Sequence, residues 1–436
     1  MPRLAFWSKG KLLGQPGDKE AASAAVREGR GNQRTSRGEQ AAKRFAWRSL
    51  LQTQTDPVDP IVAGGLVALM AFGVVMSYSA SAVFAFQHFG DGQYFLVRQA
   101  SFAVVGLAFM WGISRIDYHR LRRLTYPMLA GVLVLMLFVA SGWGRRVGGA
   151  ARWIPLGPIN VQPAELAKVV LILWLAYSLS KKAERIRTFS IGFLPHVLMA
   201  GLLIVLCLRQ PDFGSAVMIA LITFVLLFTA GAKTGYTLGA GLLATPIAYY
   251  LIAGSEYRMR RIQAFLAPFE HRYDEGYQIA ESLMSFGTGG LTGIGLGDSR
   301  QKLFFLPEAH TDFIAAIIGE ELGFAGIAAL IGAFSVLTIR GLYIGSNAPD
   351  DYGAYLAVGI SLFIGLQAFT NMAVATGLLP TKGLVLPFVS YGGSALLSNS
   401  FAAGVLLSVS RVRAVRGQIK AKSERVPRQA SAKGAT

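Results

Sequence analysis

Several short stretches of this sequence put ionisable side chains where they could do chemistry. Glu308, His310 and Asp312 fall together in residues 307–313, which read Pro-Glu-Ala-His-Thr-Asp-Phe. A carboxylate held there can take a proton from a hydroxyl, the work of a general base. Its bland alternative is capping: in a first helical turn the helix dipole stabilises a carboxylate. Glu165 and Lys168 are three apart, just behind Pro163, so on a helix they share a face. They form either an ion pair that satisfies both groups or a cation, oriented by Glu165, that meets an anionic substrate. Arg145, Arg146 and Arg152 lie in residues 143–163, and guanidinium groups bind phosphate oxygens bidentately. Asp312, Ala316, Gly319, Glu320 and Gly323 form a stripe at helical spacing, mostly small residues that let another helix come close. Glu320 then faces a cavity or a lysine, or is a protonated structural group. In Arg209-Gln210-Pro211-Asp212-Phe213 the expectation is a local Arg209/Asp212 pair.

The elements that must position these groups are apolar. Of the 436 residues 53% are hydrophobic and only 15% charged, which excludes an ordinary soluble enzyme. Windows of helical length recur at 58–82, 97–114, 124–141, 163–180, 190–208, 214–231, 235–254, 311–340, 351–377 and 384–410. The net charge of +18 suggests a nucleic-acid binder until its distribution is read. Residues 1–55 carry eleven Lys/Arg against four acids and residues 410–436 carry eight against one, so the ends hold most of it. Basic tails beside apolar spans are cytoplasmic anchors rather than a DNA site.

The expected fold is therefore an all-α polytopic membrane protein of ten transmembrane helices with both termini cytoplasmic. Its domains are a basic, disordered tail over 1–56, a membrane domain over 57–410 and a second basic tail over 411–436. Inner loops then hold Arg115, Arg120, Arg122 and Arg123, and Lys181, Lys182, Arg185 and Arg187. Two outer loops break the positive-inside rule: 143–163, and the long segment 255–310 between helices 7 and 8. A connection that long usually has a function. Around 277–286 it suggests an amphipathic helix lying on the outer membrane face, and the glycines of 287–297 make a turn region, since neither a P-loop nor a dinucleotide fingerprint is present. The single cysteine, Cys207, allows no intramolecular disulfide, and the five histidines lack the spacing of a zinc site. With no apolar region near the start, a cleavable signal peptide is not expected.

These segments together resemble the shape, elongation, division and sporulation family. The resemblance rests on Ala151-Arg152-Trp153-Ile154, Leu156-Gly157-Pro158, Gln162-Pro163-Ala164-Glu165-Leu166-Ala167-Lys168, Gln210-Pro211-Asp212-Phe213-Gly214-Ser215, Gly276-Tyr277-Gln278 with Ser282-Leu283, Pro307-Glu308-Ala309-His310-Thr311-Asp312-Phe313, and Pro387-Phe388-Val389-Ser390-Tyr391-Gly392-Gly393-Ser394. They occur in the family's order within residues 60–410. Glu308-Ala309-His310, Ile318-Gly319-Glu320-Glu321 and Thr381-Lys382-Gly383 are worded as in division-type members, whereas Ser394-Ala395 replaces the commoner Ser-Ser. The first 56 residues have no family counterpart. The resemblance implies a peptidoglycan glycosyltransferase of the bacterial inner membrane that polymerises lipid II at the septum, on the periplasmic side, beside a cognate penicillin-binding transpeptidase and other divisome proteins. It aligns the family's essential aspartate with Asp312. Lys168, Arg145, Arg146 and Arg152 become candidates for pyrophosphate, Glu165, Glu308 and His310 for substrate contacts, and Glu320, Ser390 and Tyr391 for support. A divalent cation, magnesium or manganese, could share the leaving-group role. A lipid II flippase and a non-catalytic divisome scaffold are the alternatives; the outer arginines argue against the scaffold, and the lack of a matched pair of broken helices against the flippase.

Overall fold

The computed structural model describes residues 57–411 apart from 148, 149, 158 and 303–305. The basic tail expected at 1–56 lies outside the described residues, as does the one expected at 411–436 apart from Arg411, which ends the last helix. Helices dominate. In chain order they are α1 (Pro60–Phe89), α2 (Tyr94–Ser114), α3 (Tyr118–Trp143), α4 (Pro163–Lys181), α5 (Phe189–Arg209), α6 (Phe213–Thr229), α7 (Thr234–Ala253), α8 (Glu256–Leu266), α9 (Tyr277–Gly289), α10 (Ile314–Ser346), α11 (Asp351–Ala375) and α12 (Gly393–Arg411). Among the described residues eight of these, α1 to α5 and α10 to α12, are long and apolar enough to cross a membrane. The apolar windows at 214–231 and 235–254 fall on α6, a helix of 17 residues, and α7, one of 20. The chain is thus a multi-pass helical membrane protein.

The central helices are α4, α11 and α12, with 83%, 72% and 83% of their most apolar stretch buried, against 22% for α2. Pro163 occupies the first turn of α4, where its missing N–H costs nothing. The last helix is shorter than the apolar window 384–410 suggests, because residues 376–392 run as an irregular connection and α12 begins at Gly393. Hydropathy alone cannot separate an apolar loop buried in protein from a helix.

One end of the bundle is stapled by polar contacts. Asp59 caps α1 through its amides at Ile61 and Val62, pairs with Arg340 of α10 at 2.9 Å, and its N–H donates to Ser410 of α12 at 3.1 Å. Near the start of α3, Tyr118 donates to Asp350 at 2.9 Å and Arg122 pairs with it at 2.5 Å. At the other end, residues 143–163 fold into three antiparallel strands, β1 (Arg145–Val147), β2 (Ala150–Leu156) and β3 (Ile159–Val161), in that order. A bulge separates Arg145 from Arg146. The sequence suggested only a loop here, since β1 and β3, of three residues each, carry no readable alternation.

The segment 255–310 holds two helices, α8 and α9. The helix foreseen around 277–286 forms as α9. It packs on α10, with Ile279, Ala280, Glu281, Ser282, Ser285 and Gly289 buried. Glycine permits that approach: a Cβ at Gly289 would stand 2.0 Å from the Gly319 carbonyl oxygen. The same region breaks α10, for Gly323 has φ 64 and ψ −164, a conformation open essentially to glycine. The glycine-rich run repairs the break. Ile294 and Gly295 donate to the Glu320 and Glu321 carbonyls, and Phe324 and Ala325 donate to the Gly290 and Leu291 carbonyls, all at 2.9–3.1 Å. Those glycines thus supply backbone partners that an unbroken helix would have supplied itself.

Candidate functional site

The end of the bundle that bears the small sheet gathers most of the residues singled out by sequence. Asp312 lies in the turn 307–313 rather than in a helix. The α10 helix starts at Ile314, its N-cap is Phe313, and no side chain caps it. The capping alternative for Asp312 therefore falls away, and so does the expectation that a helix dipole keeps its carboxylate ionised. Desolvation by burial, reinforced by the nearby Glu308 charge, instead pushes the carboxyl up to about 7, with Arg152 and Arg261 acting the other way. The turn is fixed by Asn371 of α11. Its side-chain amide donates to the Asp312 carbonyl at 2.8 Å and to the Leu384 carbonyl at 2.6 Å, joining the turn to the connection 376–392.

That connection forms the facing wall. At Gly383 a Cβ would stand 3.2 Å from Asp312 Oδ2 and 3.9 Å from an Arg152 Nη1, so carboxylate, guanidinium and bare backbone meet. Arg152 reaches the site from β2: its Nε donates to the Gln210 carbonyl at 3.1 Å and an Nη donates to the Pro211 carbonyl. Gln210 in turn donates to the Met136 carbonyl at 3.0 Å. Asp212 caps α6 through Ser215 N–H at 3.0 Å and accepts from Gln162 at 3.1 Å. Among the described residues it makes no ion pair with Arg209, because Arg152 and Gln162 take the polar positions of that hairpin.

The other candidates separate into distinct environments. Lys168 and Glu165 form an ion pair of 2.7 Å with side chains 0% and 5% exposed. Lys168 also stands 5.5 Å from the Phe363 ring centre. So enclosed, the ammonium meets Glu165 rather than an open site, which favours the pairing alternative; one Glu165 oxygen, Oε2, is buried without a partner. Arg145 and Arg146 are exposed on β1. Glu308 is exposed and accepts from the Thr311 hydroxyl at 2.8 Å. His310 sits among rings, with centroids 4.9 Å from Phe95, 5.6 Å from Phe84 and 5.9 Å from Tyr391. Burial there lowers its pKa below the usual value, which leaves it neutral at pH 7 and unsuited to binding phosphate by charge. Its carbonyl accepts from Tyr391 N–H at 3.0 Å, and Ser390 closes its own turn by accepting from Leu386 N–H at 2.8 Å. Those two residues shape the wall.

Among the described residues Glu320 pairs with no lysine. It accepts from the Ser299 hydroxyl and from Arg300 N–H at 3.3 Å, tying the long connection to α10. The lysine goes to its neighbour: Lys302 stands 3.8 Å from Glu321, which also accepts from Ser79 at 2.6 Å. Sequence reasoning missed Asn371, Gln162 and Gln210. Asn371 had a signal, a polar amide within the apolar window 351–377; the glutamines stand in motifs quoted above, but nothing in the spacing gave them a role.

The model for the family described as cell cycle protein, named for FtsW, RodA and SpoVE, matches residues 61–414. A probable peptidoglycan glycosyltransferase FtsW of Trichlorobacter lovleyi is 49% identical, over 79% of this chain and 91% of its own length. One from Coxiella burnetii is 42% identical, over 79% and 94%. Among solved structures, a chain from a study of the structural coordination of polymerization and crosslinking by a peptidoglycan synthase complex superposes with a TM-score of 0.69 at 28% identity, covering 82% of this chain and 98% of its own. The rod shape determining protein RodA of Thermus thermophilus superposes with a TM-score of 0.61 at 29% identity, covering 82% and 97%.

Proposed function

The chain belongs to the FtsW, RodA and SpoVE family of cell cycle proteins, and we propose from that premise that Asp312 is the general base with which it links lipid II disaccharides into glycan strands at the division septum. The activity is peptidoglycan glycosyl transfer, as its FtsW relatives are named. One observation carries the choice of base: the Asp312 carboxylate, desolvated yet partly open, borders Gly383 beside the Arg152 guanidinium. In the reaction the 4-hydroxyl of one lipid-linked disaccharide attacks the anomeric carbon of another. The new carbon–oxygen bond forms as the bond to pyrophosphate breaks. The electron pair leaves with the lipid pyrophosphate and the hydroxyl proton passes to Asp312. A base with a pKa near 7 is well matched to neutral pH, since it is substantially ionised yet still basic enough to take the proton. Arg152, fixed by two backbone carbonyls, is a preorganised positive charge beside the reacting groups. The described residues do not by themselves make a divalent-cation site, for no three His, Cys, Asp or Glu side chains are grouped to hold one. A magnesium or manganese ion would need pyrophosphate oxygens and water for most of its ligands.

Counting α6 and α7 as spans gives ten, with both chain ends on one side. The contacts that join Asp59, Arg340 and Ser410 support this placement, and the Lys/Arg-rich connections at the same end support its facing the cytoplasm across the bacterial inner membrane. The site then opens to the periplasm, in reach of a penicillin-binding transpeptidase, a partner suggested by the synthase complex that this chain resembles. Purified protein, its transpeptidase partner and fluorescent lipid II in detergent test the reading. Glycan strands are expected. Translocation of lipid II in vesicles with no polymer in detergent would replace the polymerase with a flippase.

A further inference from the structure

Among the described residues, the wall facing Asp312 carries a cation with no carboxylate partner. Residues 381–383 line that wall between α11 and α12. Gly383 abuts the Asp312 carboxylate, and Arg261 donates to the Thr381 carbonyl at 3.4 Å, linking this strip to α8. The strip is also pressed against the start of α6, where a Cβ at Gly214 would stand 3.1 Å from Leu384. Lys382 is held between them, half-buried, with its ammonium 5.1 Å from the Phe213 ring centre. Its carbonyl accepts from Leu384 N–H at 2.9 Å, but among the described residues its ammonium makes no ion pair and no hydrogen bond. Lys168 and Lys302, which are also enclosed, each have a carboxylate within 4 Å, at 2.7 and 3.8 Å.

A desolvated ammonium beside an aromatic ring is only partly compensated, and burial pulls the Lys382 pKa down with no opposing charge to restore it. Cations kept at such cost beside a candidate reaction centre mark anion sites. The unpaired charge sits one residue from the wall that touches the base. Resting on the glycosyltransferase reading of this site, we propose that Lys382 binds the lipid-linked pyrophosphate that departs in the reaction, with residues 381–383 setting its distance from Asp312. A compact point charge on a flexible stem suits a group that moves as its bond breaks. Arg152, already bound to two carbonyls, holds its place instead.

The test uses full-length protein in detergent and two probes, undecaprenyl pyrophosphate and undecaprenyl monophosphate. Lys382→Met should weaken pyrophosphate binding about ten- to a hundred-fold, the loss expected for a charged hydrogen bond, with a smaller effect on the monophosphate. Lys382→Arg should recover part of it. In turnover with the partner transpeptidase, Lys382→Met should show relief of inhibition by added pyrophosphate product. Its thermal midpoint should hold or rise, because an unpaired desolvated charge stabilises nothing. Wild-type pyrophosphate affinity in Lys382→Met would overturn the proposal, as would a lowered thermal midpoint with no change in product inhibition. The two readings fail separately. If the wild type makes no glycan but Lys382→Met loses pyrophosphate binding, the polymerase reading falls and the pyrophosphate site stands. If the wild type polymerises and Lys382→Met binds normally, the site falls alone.

Discussion

Asp312→Asn should abolish polymerisation and at the same time make the protein more stable at neutral pH. The substitution keeps size and shape while removing a carboxylate that burial holds near pKa 7 instead of an ordinary 3.8. At about 1.4 kcal/mol per tenfold, that rise corresponds to an upper bound of ~4 kcal/mol, and partial exposure of the side chain reduces it to ~1–3 kcal/mol. The sign follows from linkage. With its folded pKa raised, the protonated carboxyl contributes stability fully below pH 3.8, and this is lost as pH rises towards about 7. Asparagine cannot ionise, so it escapes the loss. Thermal melts of detergent-solubilised protein should therefore agree for wild type and variant near pH 4 and diverge above pH 7, the variant being higher. Initial rates with lipid II should fall by two orders of magnitude or more, the usual contribution of a general base. The wild-type rate should itself drop on acidification below about pH 7, as the base becomes protonated. Normal rates in Asp312→Asn would remove the residue from the chemistry. A lowered melting point at pH 8 with lost activity would make Asp312 structural.

The buried Glu165/Lys168 pair predicts strong non-additivity. Lys168→Met alone should cost about 3–5 kcal/mol by leaving Glu165 unpaired, whereas Glu165→Leu with Lys168→Met should melt near wild type; polymerisation by the double variant then tells whether the pair serves chemistry or only packing. Gly323→Ala should destabilise by more than about 2 kcal/mol, because φ is 64 and its Cβ would stand 2.4 Å from Gly293 N. Hydrogen exchange should locate the damage in residues 290–297. Reporter fusions after Thr436 should be active only in the cytoplasm, and periplasmic activity there would refute ten spans with paired ends.

The sequence by itself determined what depends on neighbours along the chain. Apolar windows place helices because a bilayer forces every buried backbone group into local hydrogen bonds. The spacing of Glu165 and Lys168 places them on one face of α4, and the pair forms at 2.7 Å. Asp312 was singled out from its local wording, but its environment was misread, since burial and not a helix dipole governs its ionisation. Tertiary structure decided the rest, through contacts between residues far apart in the chain. Arg152 reaches carbonyls at 210 and 211, Asn371 joins 312 to 384, and Gly383 brings bare backbone to the Asp312 carboxylate. The glycine run read as a turn supplies the backbone partners for the break at Gly323, and Glu320 turns to Ser299 instead of a lysine. A period of 3.6 residues fixes which face of a helix a side chain occupies. Which other helix or loop meets that face is settled only when the bundle packs.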